Sequence, residues 1–125
     1  MRALLAILIC IVSMVASGLA LAHHSFAATF DENKPLTLTG TVTKLEWANP
    51  HIWFFVDVDN LDGTVTNWGL EMGSPNHLMR AGWRRDSMKV GDIVEIEAWQ
   101  ARDDSPNAHA QAVVLTSTGE PIFGN

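Results

Sequence analysis

The chain is poor in cysteine, in tyrosine and in cationic side chains. Its one cysteine is Cys10, and it has no tyrosine among 125 residues. Beyond the N-terminal segment that holds Cys10, disulfides, thiolate metal sites and cysteine nucleophiles are therefore excluded. Eight Lys and Arg face fourteen Asp and Glu, for a net charge of −6. Because nucleic-acid binding depends on a basic surface against the phosphates, this charge predicts that nucleic acid is not a partner.

The first 22 residues have the layout of an export signal. Arg2 precedes an apolar run over residues 3–16, and Ala20 and Ala22 form a small-x-small cleavage site. The run is shorter than the ~20 residues that span a bilayer, so we expect cleavage, no stable membrane span, and a periplasmic location. Without Arg2, seven cations face fourteen acids. The expected organisation is a signal peptide over 1–22, an N-terminal arm over 23–35, one domain over 36–118 and a tail over 119–125.

Short alternating apolar segments predict an all-β domain with one short helix. Strand patterns cover residues 36–47, 52–58, 65–72, 93–99 and 109–116. Between the third and fourth strands, Ser74 and Pro75 indicate a helix start and Gly82 its end. Gly40 and a change of phase indicate a bend in the first strand. This order predicts a small five-stranded OB-fold-like barrel, with an open sandwich of the same strands as the alternative.

Several short motifs spread over the chain identify a family resemblance. They are His-His-Ser-Phe at 23–26, Leu-Thr-Gly-Thr-Val at 38–42, Trp-Ala-Asn-Pro-His at 47–51, Gly-Ser-Pro-Asn at 73–76 and Val-Gly-Asp at 90–92. Together they resemble a family of small exported proteobacterial proteins of unknown function. The resemblance implies export and a single β-rich domain, and it carries no functional residue over to this chain.

Paired histidines at the predicted new N-terminus suggest a copper site. Cleavage after Ala22 would give His23 a free α-amine, which chelates a metal together with its own imidazole, and His24 adds a second ring. Nitrogen ligands in tetragonal geometry suit Cu(II). A solvated arm without metal is the alternative interpretation.

Two further histidines fall in segments that flank the ligand face of an OB-fold. His51 follows Asn49 in the first hairpin loop, and His109 ends the loop before the last strand. His51 is the predicted third metal ligand, beside His23 and His24, and His109 is a weaker candidate for ligand binding. The alternative is structural: His51 caps the turn, and His109 begins a strand.

The five tryptophans are many for a domain of this size. They fit a core of large side chains, but Trp53 and Phe55 alternate with the apolar face of their strand. Those two residues and Asn49 therefore form a candidate ligand-binding surface for a glycan, peptide or protein. A second cluster, of cations, includes Arg80, Arg84, Arg85 and Lys89 and suits an anion or a solvated face.

No catalytic pattern is found, so we expect a binding protein and no enzyme. The first hypothesis is a periplasmic copper-binding protein that uses His23, His24 and His51. The alternative is an OB-like module that binds a non-metal ligand or a protein through Asn49, Trp53, Phe55 and His109.

Overall fold

The computed structural model describes residues 26–124, and in this part of the chain the elements follow the predicted order. They are β1 (Phe30–Glu46), β2 (Trp53–Asp59), β3 (Val65–Glu71), α1 (Pro75–Arg80), β4 (Ile93–Ala101), β5 (Asn107–Leu115) and β6 (Glu120–Phe123). Residues 26–29 are helical and lead directly into β1. Among the described helices, none has the length and apolar character needed to cross a membrane.

The strands form one sheet that closes on itself. Its order is β3-β2-β1-β4-β5-β6, and β3 also pairs in parallel with β5. That pairing joins the first five strands into a ring, whose other neighbours are antiparallel. Closure leaves no unpaired edge within the ring, which suits a small domain. The predicted all-β, OB-like fold with one short helix is confirmed.

The core is built largely by alternation along the strands, which is clearest in β2 and in the first half of β4. Phe54 and Val56 of β2 are fully buried, as are Val94 and Ile96 of β4. Their neighbours in sequence point to the outside of the barrel, because successive side chains in a strand lie on opposite faces. Complete burial of an aliphatic or aromatic side chain contributes about 1.5–3 kcal/mol. The periodicity that predicted the strands therefore also defines the inside of the barrel.

The first strand is longer than its pattern indicated and is irregular in two places. It begins at Phe30, which is buried and pairs with Ala101, before a register shift that ends at Pro35. A second shift lies between Val42 and Lys44. Gly40 lies between the two register shifts. A Cβ atom at this position would come within 2.6 Å of the Asp57 carbonyl oxygen. The glycine thus permits the close approach of β1 and β2 at the bend.

The connection from β3 to β4 packs on the barrel core. The Ser74 side chain accepts a hydrogen bond from the His77 backbone N–H and caps α1. Gly82 follows the helix with a φ of 93°, in the left-handed region that favours glycine. Trp83 is buried, and its ring stacks on Trp47 at a centroid distance of 5.3 Å. The segment predicted as a short helix is confirmed.

The end of the chain adds a strand that the sequence pattern did not indicate. Residues of β6 pair with β5 outside the ring, and Ile122 and Phe123 pack against the core. The strand has four residues and contains Pro121. A segment so short, with a proline in it, has too few alternating positions to be recognised.

Candidate functional site

One row of outward-facing residues runs across the barrel and joins most of the predicted site positions. Trp53 pairs with Glu71 on β3, Glu71 pairs with His109 on β5, and His109 pairs with Trp99 on β4. The next row contains Phe55, paired with Gly69, which pairs with Asn107. Paired residues in a ladder lie on the same face. We call these two rows the outer face.

The loop over residues 47–52 brings His51 to this face. Ile52 is buried, and its backbone N–H donates to the Gly73 carbonyl at 3.1 Å, while its carbonyl accepts from Met72 at 2.9 Å. These bonds hold the residue after His51 against the end of β3. As a result, the His51 Nδ1 atom contacts a carboxylate oxygen of Glu71.

Glu71 is the buried acidic partner of this pair. Its side chain is 12% exposed, whereas that of His51 is 47% exposed. Burial raises the pKa of the Glu71 carboxyl, and the charge and hydrogen bond of His51 oppose that rise. The His51 imidazole is therefore the charge partner of the Glu71 carboxylate. The two side chains together form a polar site on the outer face.

His109 lies beside the pair in an aromatic enclosure. Phe26 meets its ring edge-on at 4.8 Å between centroids, and Phe30 lies at 5.7 Å. The Gln111 Nε2 atom lies 2.7 Å from Nδ1, a contact in which the amide donates when the ring carries its proton on Nε2. Burial, with a smaller effect from the charge of His51, lowers the pKa of His109 to about 4. The ring is thus neutral at pH 7.

The N-terminal end of the described chain is fastened over this part of the barrel. Arg102 Nε donates to the Ala27 carbonyl at 2.6 Å, and Arg102 Nη1 donates to the Asp31 carboxylate at 3.1 Å. Phe26 also contacts Trp99, with ring centroids 6.2 Å apart. Residues 26–31 therefore cover the His109 side of the outer face and leave the Trp53 side uncovered.

On the uncovered side, Trp53 and Phe55 form an aromatic surface. Both are half-buried, and their rings lie 6.5 Å apart with an angle of 24° between the planes. They border Gly69, where a Cβ atom would lie 3.4 Å from Trp53 and 3.3 Å from Phe55. Lys44 places its Nζ atom 5.2 Å from the centre of the Phe55 ring. A glycine beneath aromatic rings lets them lie flat across the neighbouring strand.

A cavity of about 390 Å³ adjoins Trp53. The loop over residues 102–106 forms one wall of this cavity, and residues 28–30 form another. Polar groups that line the cavity include Ser105 and Asn107. The Asn107 side chain donates to the Ser105 hydroxyl at 3.1 Å. The volume lies within the range of small-molecule sites, which combine apolar walls with a few fixed polar groups.

The structure brings together some of the predicted residues and leaves others apart. His51 and His109 approach closely enough for one charge to affect the other, and Trp53 and Phe55 share the outer face with them. Asn49 is exposed in the loop that carries His51. His23 and His24 lie outside the described residues. The sequence interpretation missed Glu71, Phe26 and Gln111, since no local pattern relates them to the histidines.

The described histidines and acids do not by themselves make a metal centre. Within residues 26–124 no group of three His, Cys, Asp or Glu side chains has the arrangement to hold a metal ion. A copper site that uses His51 or His109 would therefore need ligands from outside this range.

Solved structures of similar fold include a protein that binds single-stranded DNA. Rim1, a mitochondrial single-stranded DNA-binding protein from S. cerevisiae, aligns with a TM-score of 0.52 and 11% identity over 70% of this chain and 94% of its own. The N-terminal domain of PriB from Thermoanaerobacter tencongensis aligns with a TM-score of 0.50 and 24% identity, over 68% of this chain and 98% of its own. At these identities the likeness shows a shared fold.

The prediction that nucleic acid is not a partner is contradicted by these neighbours. The fold is one that a single-stranded DNA-binding protein also has. Net charge is a sum over the whole surface, whereas an OB-fold binds through one local face. The overall charge of −6 therefore does not exclude this class of ligand.

A family assignment comes from the sequence itself. No curated protein matches this chain significantly. A family described as being of unknown function, DUF6152, matches residues 10–110, which is most of the chain and includes the outer face from Trp53 to His109. The chain belongs to this family of unknown function, DUF6152.

Proposed function

We propose that the protein is a non-enzymatic binding module whose outer face binds a saccharide. The observation that carries the proposal is the aromatic surface of Trp53 and Phe55 beside an open cavity. Aromatic faces stack on the C–H faces of sugar rings, and OB-folds use this region for oligosaccharides as well as oligonucleotides.

The polar groups around the rings suit hydroxyl groups. Asn67 donates to Asp57 at 2.7 Å and to the Thr43 hydroxyl at 3.1 Å, which fixes a donor and acceptor network beside Phe55. Near Trp53, Asn107 and Ser105 line the cavity. Fixed amide, carboxylate and hydroxyl groups next to a stacking surface are the combination that sugar hydroxyls require.

The test measures binding of cellopentaose and chitopentaose to the full chain by isothermal titration calorimetry. We expect a micromolar to millimolar dissociation constant for one of them. Trp53→Ala and Phe55→Ala should each weaken it at least about fivefold, from the loss of stacking worth about 1–3 kcal/mol per ring in a similar surface. Phe123→Ala, a half-buried phenylalanine on β6, is the matched control.

A dodecameric deoxythymidine oligonucleotide is titrated in parallel. Absence of binding by both saccharides overturns the proposal. If the oligonucleotide binds and Trp53→Ala abolishes that binding, the outer face belongs to a nucleic-acid ligand and the saccharide proposal is also overturned.

A second candidate function is copper binding by an exported form of the chain. The observation that favours it is the contact of Phe26 with His109, which lies beside His51. His23 and His24 precede Phe26 by three and two positions in the sequence. A free amine on His23, with imidazoles from His24 and His51, would supply nitrogen ligands suited to Cu(II).

Copper titration of protein with a sequenced N-terminus tests this candidate. His51→Ala should weaken Cu(II) binding at least tenfold, and one extra residue before His23 should have a similar effect. His77→Ala, an exposed histidine on α1, should change nothing. If His51→Ala and His24→Ala leave the affinity unchanged, this site does not exist.

A further inference from the structure

The cations of the described chain fall into two groups, those that form an ion pair and those that do not. Lys34, Lys44 and Arg102 each form an ion pair with an acidic side chain. The other four, which form no ion pair within residues 26–124, are Arg80, Arg84, Arg85 and Lys89. All four are exposed and lie within ten positions of one another.

Large apolar side chains are exposed in the same part of the chain. Met79 is 52% exposed, Val90 is 64% exposed and Ile93 is 51% exposed. They are three of the six large apolar residues exposed within residues 26–124. We call residues 79–93 the basic–apolar segment. With Asp86 and Asp92 it has a net charge of +2, so the rest of the chain has −8.

The basic–apolar segment is fixed to the barrel, so its outward side chains form a defined surface. Trp83 and Met88 are buried in the core. Gly91 donates its backbone N–H to the Val42 carbonyl, and Val42 donates to the Asp92 carbonyl, both at 2.8 Å. The exposed cations and apolar groups are therefore held on a rigid base.

An apolar groove of about 480 Å³ adjoins the segment. Ala81 and Trp83 form one side, and Pro121, Ile122 and Phe123 form the other. No side chain that lines it carries a charge. The unpaired cations Arg80 and Arg84 neighbour Ala81 and Trp83 in sequence, so charge and apolar surface meet here.

We propose that the basic–apolar segment binds the surface of an anionic lipid bilayer. Cations without an ion pair in the described chain attract acidic headgroups, although Arg85 also lies over the Trp47 ring at 5.1 Å. The exposed aliphatic side chains and the groove gain from contact with the acyl region. An acidic protein would satisfy the cations, but it would leave exposed Val90 and Ile93 facing charged groups. The proposal is independent of the ligand on the outer face.

Vesicle co-sedimentation of the full chain, purified as it accumulates in the producing cell, tests this inference. Vesicles of equal parts phosphatidylcholine and phosphatidylglycerol are compared with pure phosphatidylcholine, so any contribution of the N-terminal apolar run enters both measurements. We expect at least 25-fold tighter binding to the anionic vesicles at 0.05 M NaCl, from about fivefold for each of two or more charges. That preference should be lost at 0.5 M NaCl because salt screens the charges.

Paired variants separate the segment from the rest of the surface. Arg80→Gln with Arg84→Gln should weaken anionic-vesicle binding about 25-fold, or about fivefold per charge. Lys34→Gln with Lys44→Gln is the control for charge, since those lysines have partners. Val90→Ser should weaken binding, whereas Val65→Ser, at a valine that is 56% exposed in β3, should not.

Two results would overturn the proposal. One is the absence of any preference for anionic vesicles at low salt. The other is a preference that both the double arginine variant and Val90→Ser leave unchanged, with thermal unfolding midpoints equal to that of the parent chain.

Discussion

The imidazole of His51 contacts the carboxylate of Glu71, and the acid is much the more buried of the two. Glu71 ends β3 between Trp53 on one side and His109 on the other, so this single pair lies at the centre of the outer face. A buried carboxylate with one charged partner is costly to keep ionised.

The raised pKa of Glu71 predicts a pH-dependent effect of Glu71→Gln. The folded protein holds the proton more tightly than the unfolded chain, whose carboxyl titrates near 4.5, so the contribution of Glu71 to stability decreases as the pH rises above that value. The free energy of unfolding of Glu71→Gln minus that of the parent should therefore be larger at pH 7 than at pH 4. Urea unfolding at both pH values measures the difference.

Glu97→Gln, at an exposed glutamate on β4, is the control for the change of a glutamate to glutamine at the surface of the barrel. The argument from burial would be contradicted if the difference in free energy of unfolding between Glu71→Gln and the parent stayed constant with pH or fell as the pH rises.

The enclosed ring of His109 predicts acid sensitivity. Its pKa is about 4, below the ordinary 6.5, so the unfolded chain binds more protons between those values. The contribution of His109 to the free energy of unfolding is fully present above pH 6.5 and decreases as the pH falls towards 4. The ring is partly exposed, so we expect a loss of at most ~2 kcal/mol.

Chemical denaturation at pH 7 and pH 4.5 measures this loss, and NMR titration of the ring gives the pKa directly. His109→Gln should reduce the difference between the two pH values. A ring that titrates near 6.5 in the folded protein would show that the enclosure by Phe26 and Phe30 is absent in solution.

The bend in β1 predicts that Gly40 does not tolerate a side chain. A Cβ atom there would lie 2.6 Å from the Asp57 carbonyl oxygen, a backbone atom that cannot rotate away. Gly40→Ala should lower the free energy of unfolding by about 2–3 kcal/mol. Thr39→Ala, at the exposed neighbouring position, should change it by less than ~0.5 kcal/mol, and equal effects would remove the steric argument.

The environment of Trp83 predicts that two substitutions at this position differ in how much stability they cost. Its indole Nε1 has no hydrogen-bond partner within the described residues, although the ring is buried against Trp47. Trp83→Phe removes the unpaired N–H and keeps an aromatic ring, so it should cost less than ~1.5 kcal/mol. Trp83→Ala leaves a large cavity and should cost about 3–5 kcal/mol. Similar losses for both variants would mean that the N–H finds a partner in solution.

Strand positions were predictable from sequence because the alternation in β2 and β4 is regular. The period of two in Phe54 and Val56 is imposed by the pleat and is local. The early start of β1 at Phe30 was not predictable, since residues 30–35 have no clear period and are ordered by pairing with β4. The four residues of β6 were missed because so short a strand, with a proline in it, has too few alternating positions.

By itself, the sequence determined the all-β class, the short helix after Ser74 and the outward position of Trp53 and Phe55. Each follows from residue types a few positions apart. Only the tertiary structure decided that Glu71 and His109 are neighbours, because their parallel pairing joins strands separated by a helix and another strand. It also decided which cations form no ion pair, since the acids paired with Lys34 and Arg102 lie about 70 positions away along the chain. Contacts across such distances depend on barrel closure, which no local pattern encodes.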